Sequence, residues 1–166
     1  KLVYTLDLVG DPESDIVGYR AHSRGRVLDL SKRNYYAPDD FFEPIHRPAS
    51  GEICICKGEF VLLRTHERIR VPPHLAAEVK ALDGRSGNFF AHKAGFIDSG
   101  YGYGENGSAL GLPITLEVSA VGRNIILRDG QRICRVAFER LRKPPVKAYA
   151  GNYTKPRLLP KQFRAA

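Results

Sequence analysis

Residues 114–120, Ile-Thr-Leu-Glu-Val-Ser-Ala, alternate apolar and polar side chains without a break. A period of two is the pattern of a strand, so Ile114, Leu116, Val118 and Ala120 go to one face and Thr115, Glu117 and Ser119 to the other. Just upstream, Ala94-Gly95-Phe96-Ile97-Asp98-Ser99-Gly100 is an apolar run closed by an acid and a glycine. That is how a strand end turns back, and it puts Asp98 at the turn. Between the two, Gly100, Gly102, Gly104, Gly107 and Gly111 interleave with Tyr101 and Tyr103. Such a connection can bring bare backbone close to a ligand. The stretch 89–120 is therefore the candidate site. A lone strand carboxylate such as Glu117 is ordinarily a solvated residue on an outward face, so the pattern alone leaves both readings of it open.

The rest of the chain continues in the same short units. Leu2-Val3-Tyr4-Thr5-Leu6 alternates, Gly10-Asp11-Pro12 signals a turn, and Val27-Leu28-Asp29-Leu30 is again strand-like. Residues 1–48 are expected to form an N-terminal arm and edge elements of the same domain. Within them Pro38-Asp39-Asp40 reads as a helix start with an Asp cap, which would bury Phe41, Phe42 and Ile45. Residues 58–64 read as a strand, and 74–79 as either one helical turn or a strand. Strands over 125–127 and 133–138 flank a turn at Asp129-Gly130. Glycine and proline every 8 to 12 residues or so, between short alternating runs, predict a mainly β fold with one or two short helices. Its core spans 49–145. From 146 to 166 the alternation is lost and Tyr153 and Phe163 mix with Lys155, Arg157, Lys161 and Arg164. This basic tail is either a solvated terminus or a lid that closes over phosphates and a base.

A chain of 166 residues supports one domain with a substantial core. It has no run of about 18 apolar residues and no signal-peptide pattern, so no membrane span is expected and a cytoplasmic location is. It contains no methionine, even at its start, and is expected to be processed or part of a longer protein. Cys54, Cys56 and Cys134 are expected to be small buried apolar residues in a reducing compartment, with Cys54 and Cys56 on one face of a strand over 52–57. The five histidines show no metal-ligand spacing to one another or to the cysteines, so zinc is not expected. The net charge of +8 calls for an anionic partner. Its basic residues gather at 64–70, 140–147 and 155–164, not in one stripe with interleaved aromatics. That favours a nucleoside triphosphate over nucleic acid.

Four ordered segments resemble the dCTP deaminase branch of the dUTPase-like family. They are Ala94-Gly95-Phe96-Ile97-Asp98 with Gly100 and Tyr101, Thr115-Leu116-Glu117-Val118, Gly130-Gln131-Arg132-Ile133, and Tyr153 with Lys161-Gln162-Phe163. Val17-Gly18-Tyr19-Arg20-Ala21, Phe41-Phe42-Glu43-Pro44 and the residues 71–78 look like the C-terminal half of the long tandem bacterial enzymes. The resemblance implies a dUTPase-like β-clip, a distorted barrel of short strands, with sites where subunits or tandem halves meet. It implies zinc-independent deamination of dCTP to dUTP and ammonia, in dUTP and dTTP biosynthesis, with Glu117 as the catalytic proton shuttle. Ala94, Gly95, Phe96 and Ile97 would contact base and sugar. Asp98 and Tyr101 would lie by the deoxyribose, where packing can reject a 2′-hydroxyl, and Thr115 would position water or substrate. Tyr153, Lys161 and Gln162 would close on the triphosphate, which would carry the only metal, Mg²⁺. The partners implied are dCTP and dUTP, with dTTP kept open, and a homo-oligomer, either a trimer or a pseudo-trimer with an N-terminal half.

One family motif departs from its pattern. Short-form deaminases carry Ser-Ser-x-x-Arg ahead of Ala-Gly-Phe-Ile-Asp, whereas this chain has Gly84-Arg85-Ser86-Gly87-Asn88-Phe89-Phe90, with a shorter spacer to Ala94. Arg85 and Ser86 are similar to part of the dUTPase motif and are weaker site candidates. In the tandem enzymes the missing motif lies in the other half, so a complete site is expected to need that half. Three alternatives follow: dUTP pyrophosphatase activity, a bifunctional enzyme, and a non-catalytic half that binds nucleotide or holds an oligomer together.

Overall fold

The computed structural model describes residues 2–23, 26–82, 95–143, 145–147, 149 and 157–164, together with the backbone of Phe89 and Phe90. Eleven strands are described: β1 (Leu2–Asp7), β2 (Ile16–Ala21), β3 (Phe42–His46), β4 (Glu52–Ile55), β5 (Phe60–Ile69), β6 (Leu75–Ala81), β7 (Phe89–Phe90), β8 (Phe96–Ile97), β9 (Leu112–Ala120), β10 (Ile125–Arg128) and β11 (Arg132–Arg140). Among the described residues, helix is confined to single 3₁₀ turns at Pro38–Asp40 and Glu105–Gly107. The fold is mainly β, as the alternation predicts.

Nine strands form one sheet in the order β3-β2-β5-β1-β11-β6-β8, with β9 branching from β5 and pairing β7. The pair β10–β4 forms a second, two-stranded sheet. One face of the large sheet holds the main core, including Leu6, Leu63, Leu116, Val118 and Ile133, all at most 1% exposed. The period of two in β9 is complete: Leu112, Ile114, Leu116, Val118 and Ala120 are buried and the intervening residues are half-buried.

The centre of β5 breaks that rule informatively. Val61, Leu62 and Leu63 are all buried, because β5 is covered on both faces. Leu62 points away from the main core into a second cluster with Tyr19, Phe41, Leu159 and Phe163. The end of the chain supplies that cover, and Phe163 bridges in parallel to Tyr36. In its described part, 157–164, the basic tail is thus docked by its apolar residues. Among the described residues, no helix is long and apolar enough to cross a membrane.

Several sequence expectations are corrected. The helix over 38–45 stops after one 3₁₀ turn, whose first flanking residue is Ala37 and which has no side-chain cap. Pro44 disfavours helical backbone at Glu43, and its ring would clash with the carbonyl of Asp40, so Phe42–His46 extends and pairs with β2 instead. Residues 75–81, ambiguous by pattern, are a strand because they pair along their length with β11. β1 lies inside the sheet, hydrogen-bonded to β11 on one side and β5 on the other. Cys134 is buried as expected, but Cys54 and Cys56 are exposed. Ile53 and Ile55 take the inward positions of β4, the period of two sends Cys54 out, and Cys56 lies just past the strand's end.

The basic cluster 64–70 is also partly internal. Arg64 is 8% exposed; its Nε donates to Asp7 Oδ2 at 2.8 Å and its Nη1 to Asp11 Oδ2 at 2.6 Å. Asp7 Oδ1 accepts from the backbone N–H groups of Val9 and Gly10. The charge of Arg64 is therefore committed to closing the turn after β1.

Candidate active site

A cleft of about 280 Å³ opens on the outer face of β9. Phe96, Ile97, Asp98, Tyr101, Thr115 and Glu117 all line it, so six of the residues singled out in the sequence meet in one place. Glu117 pairs with Leu62 of β5, and its neighbours Leu116 and Val118 are locked in the core, which fixes its direction. Glu117 is half-buried and its surroundings are largely apolar, with Leu62, Ile97, Ile114 and Leu158 in the same lining.

The opposite wall is held by a knot of backbone hydrogen bonds. Asp98 O accepts from Tyr101 N at 3.1 Å, Val71 N donates to Tyr101 O at 2.9 Å, and Gly100 N donates to Val71 O at 2.9 Å. Tyr101 Oη donates to Pro113 O at 2.8 Å, tying this turn to the start of β9. Gly100 and Gly102 make the close approach feasible. Both have positive φ, and a Cβ on Gly102 would lie 2.4 Å from Ile69 O. Gly95 is outside the lining and packs on β6, where Val79 N donates to its carbonyl at 2.5 Å.

Five lining residues were not among the sequence's site candidates: Leu62, Ile114, Tyr149, Leu158 and Pro160. Tyr149 stacks edge-on against Tyr101 at 5.9 Å between ring centroids. Leu158 and Pro160 belong to the docked tail, and their signal in the sequence was an apolar Leu-Leu-Pro inside a basic segment. Thr115 Oγ1 donates to Arg157 O at 3.3 Å, joining that tail to β9. Thr115→Val keeps the volume and removes this bond. It is expected to lower stability by about 0.5–1.5 kcal/mol, read as a fall of a few degrees in Tm.

Lys161 and Gln162 are not in the lining. Gln162 is 7% exposed, its Nε2 donates to Leu30 O at 3.1 Å, and its backbone carbonyl accepts from the backbone N–H groups of Tyr35 and Tyr36. Lys161 O accepts from Asn34 N. Both anchor the tail to the 30–36 segment. Ala94, Arg85, Ser86 and Tyr153 lie outside the described residues.

Beyond Thr115, which lines both spaces, runs a wider groove of about 650 Å³. Arg157 and Arg164 line it, with Asp11 and Glu13 opposite. Among the described residues, the three metal-capable side chains that converge are Asp7, His66 and Asp129, and none of them lines the cleft. Asp7 is saturated by Arg64, Val9 and Gly10, and Asp129 Oδ1 accepts from Leu8 N and contacts His66 Nε2 at 2.9 Å. This arrangement fastens the end of β1 to the β10–β11 turn.

A family model described as 2′-deoxycytidine 5′-triphosphate deaminase (DCD), C-terminal domain, matches residues 1–161. The dUMP-forming dCTP deaminase of Methanothermobacter thermautotrophicus is 31% identical over 158 residues, covering 87% of this chain and 75% of that protein. The dUMP-forming dCTP deaminase of Aquifex aeolicus is 39% identical over 102 residues, covering 60% of this chain and 51% of that one. Among solved structures, 2′-deoxycytidine 5′-triphosphate deaminase from Agrobacterium tumefaciens superimposes with a TM-score of 0.78 at 32% identity. That match covers 87% of this chain but 42% of the Agrobacterium chain.

Proposed function

The chain belongs to the dCTP deaminase family, matched by its C-terminal domain, and from that premise we propose that it carries the proton-shuttling strand of an enzyme that hydrolyses the 4-amino group of dCTP. The observation that carries this reading is the position of Glu117, a fixed carboxyl among apolar walls in one cleft with Asp98 and Tyr101. The reaction replaces the C4–NH₂ of cytosine with C4=O, consuming water and releasing ammonia. Water must lose a proton to attack C4, the ring nitrogen must gain one, and the departing amine must gain another. A single carboxyl beside the base can take the first proton and deliver it onward, and a desolvated site strengthens that exchange.

In this reading the base enters the smaller cleft against Ile97 and Ile114, and the deoxyribose lies by Asp98 and Tyr101. The phosphates run past Thr115 toward Arg157 and Arg164. Asp11 in that groove is already held by Arg64, which suits a Mg²⁺ carried on the triphosphate oxygens better than one held by protein ligands. The ion would supply charge neutralisation there. Lys161 and Gln162 serve by holding the tail closed, with Gln162 locked in place by Leu30. The reading includes no zinc. Because the chain spans about half of several relatives, we extend the proposal to an assembly, a trimer or a pseudo-trimer with an N-terminal half, that completes the phosphate end. In it dUTP is the product and dTTP a further ligand.

The test is incubation with dCTP and Mg²⁺, alone and with a longer form carrying an N-terminal half. Ammonia and products are followed by chromatography. One ammonia per dUTP is expected; nucleotide binding without ammonia in either form would overturn the deaminase reading. A second reading has a specific observation behind it. Both curated relatives described above are named dUMP-forming, and dUMP with pyrophosphate as product would favour a bifunctional enzyme.

A further inference from the structure

β4 carries a feature that nucleotide chemistry leaves unused. Cys54, on β4, and Cys56, the first residue past its end, are both exposed, while Ile53 and Ile55 between and beside them are buried. With Ile53 and Ile55 turned inward, both thiols are left on the outer side, and they lie near enough to influence one another. The strand pairs with β10 alone, so this face is not covered by a second layer among the described residues; its neighbour across the ladder, Ile126, is 60% exposed.

The backbone around the pair is pinned. Arg20 Nη2 donates to Cys54 O at 3.0 Å, and Cys56 N donates to Glu59 Oε2 at 2.7 Å. Lys57 N donates to Asn124 Oδ1 at 2.8 Å. Two residues of extended chain span about 6.4–6.8 Å between Cα atoms, at the long end of what a disulfide bridges. Because Cys56 lies just past the strand, its backbone can draw the sulfurs together only against those fixed neighbours, so the bond between them is strained. Strained, exposed disulfides are the readily reduced ones.

We propose that Cys54 and Cys56 form a reversible dithiol–disulfide site that exchanges with small-molecule disulfides of the glutathione type. The Glu59 carboxylate beside Cys56 holds its thiol above the usual range, which suits Cys56 to the second, resolving step. The Cys54 thiolate attacks one sulfur of the small disulfide, breaking its S–S bond, forming a mixed disulfide and releasing one thiol. Cys56 then gives up its proton and attacks Cys54 sulfur, releasing the second thiol. The net change is two protein thiols oxidised and one small disulfide reduced to two thiols.

The experiment equilibrates the chain with graded oxidised and reduced glutathione, followed by acid quench, trypsin digestion and mass spectrometry. Both cysteines fall in one peptide, residues 34–57, and Cys134 in another, residues 133–135. The 34–57 peptide is expected to become lighter by two hydrogens under oxidising buffer and to recover under reducing buffer, with Cys134 unchanged. In Cys56→Ser a glutathione adduct should persist on Cys54 at least about tenfold longer than in the native chain, since the resolving thiol is gone. Independent glutathione adducts on both native cysteines, a bridge to Cys134, or thiols unchanged across the series would each overturn the proposal.

Discussion

Glu117→Gln is expected to abolish ammonia release from dCTP while leaving nucleotide binding intact. Glutamine fills the same space between Leu62 and Thr115 and keeps hydrogen-bonding capacity, but it cannot accept the proton of water or return it to the leaving amine. Positioned acid–base groups contribute about 10²–10⁴-fold, so kcat should fall by that factor, measured in whichever form of the protein turns over. Titration calorimetry with dCTP should show an affinity within about threefold of the native value, because shape and neighbours are retained. Full turnover in this variant would remove Glu117 from the mechanism. Loss of binding together with turnover would instead make the carboxylate a substrate anchor.

The second large effect is expected from Phe163→Ala. Phe163 is 2% exposed, with ring centroids 5.4 Å from both Phe41 and Phe42 and 6.1 Å from Tyr36. Truncating a buried phenylalanine costs about 3–5 kcal/mol, equivalent to a drop on the order of 10 °C in Tm for a domain of this size. The loss should not stay local. Leu158 and Pro160 form one wall of the Glu117 cleft, and Phe163 N donates to Pro160 O at 3.1 Å, so releasing the ring loosens that wall. Hydrogen exchange over 157–164 should accelerate, and dCTP should bind more weakly. Unchanged Tm and exchange would mean that the tail's docking rests on Leu159 and its backbone bonds instead.

Much of the site was legible because its logic is local. The period of two across 114–120 fixed which face Glu117 takes, and the acid-glycine pattern marked the turn at Asp98; both are properties of neighbours in the chain, whereas Tyr101 came from the family likeness. The family likeness then raised Glu117 above an ordinary surface carboxylate. What stayed illegible depends on partners far away in sequence. Nothing local says that Leu62 faces outward to meet Phe163, or that Arg64 spends its charge on Asp7 and Asp11. The exposure of Cys54 and Cys56 was misjudged for a related reason: two stronger apolar residues, Ile53 and Ile55, compete for the inward positions of the same short strand. The 38–45 helix failed on one residue, since Pro44 is compatible with a strand edge and not with that helix.

The position of β1 governs the order in which this protein can be assembled. Leu2 pairs with Val136 and Leu6 with Thr65, so the first strand has one neighbour more than 130 positions downstream. A growing chain can pair β1 with β5 early, but its other edge stays open until β11 is made, and the bridge from Tyr36 to Phe163 closes later still. Loop-closure entropy must be overcome before those contacts repay it, which makes folding slow and leaves a hydrophobic strand edge exposed during synthesis. The Glu117 cleft, whose wall comes from the tail, is then among the last parts to form. An unfinished chain holds the strand of Glu117 without the cleft that encloses it.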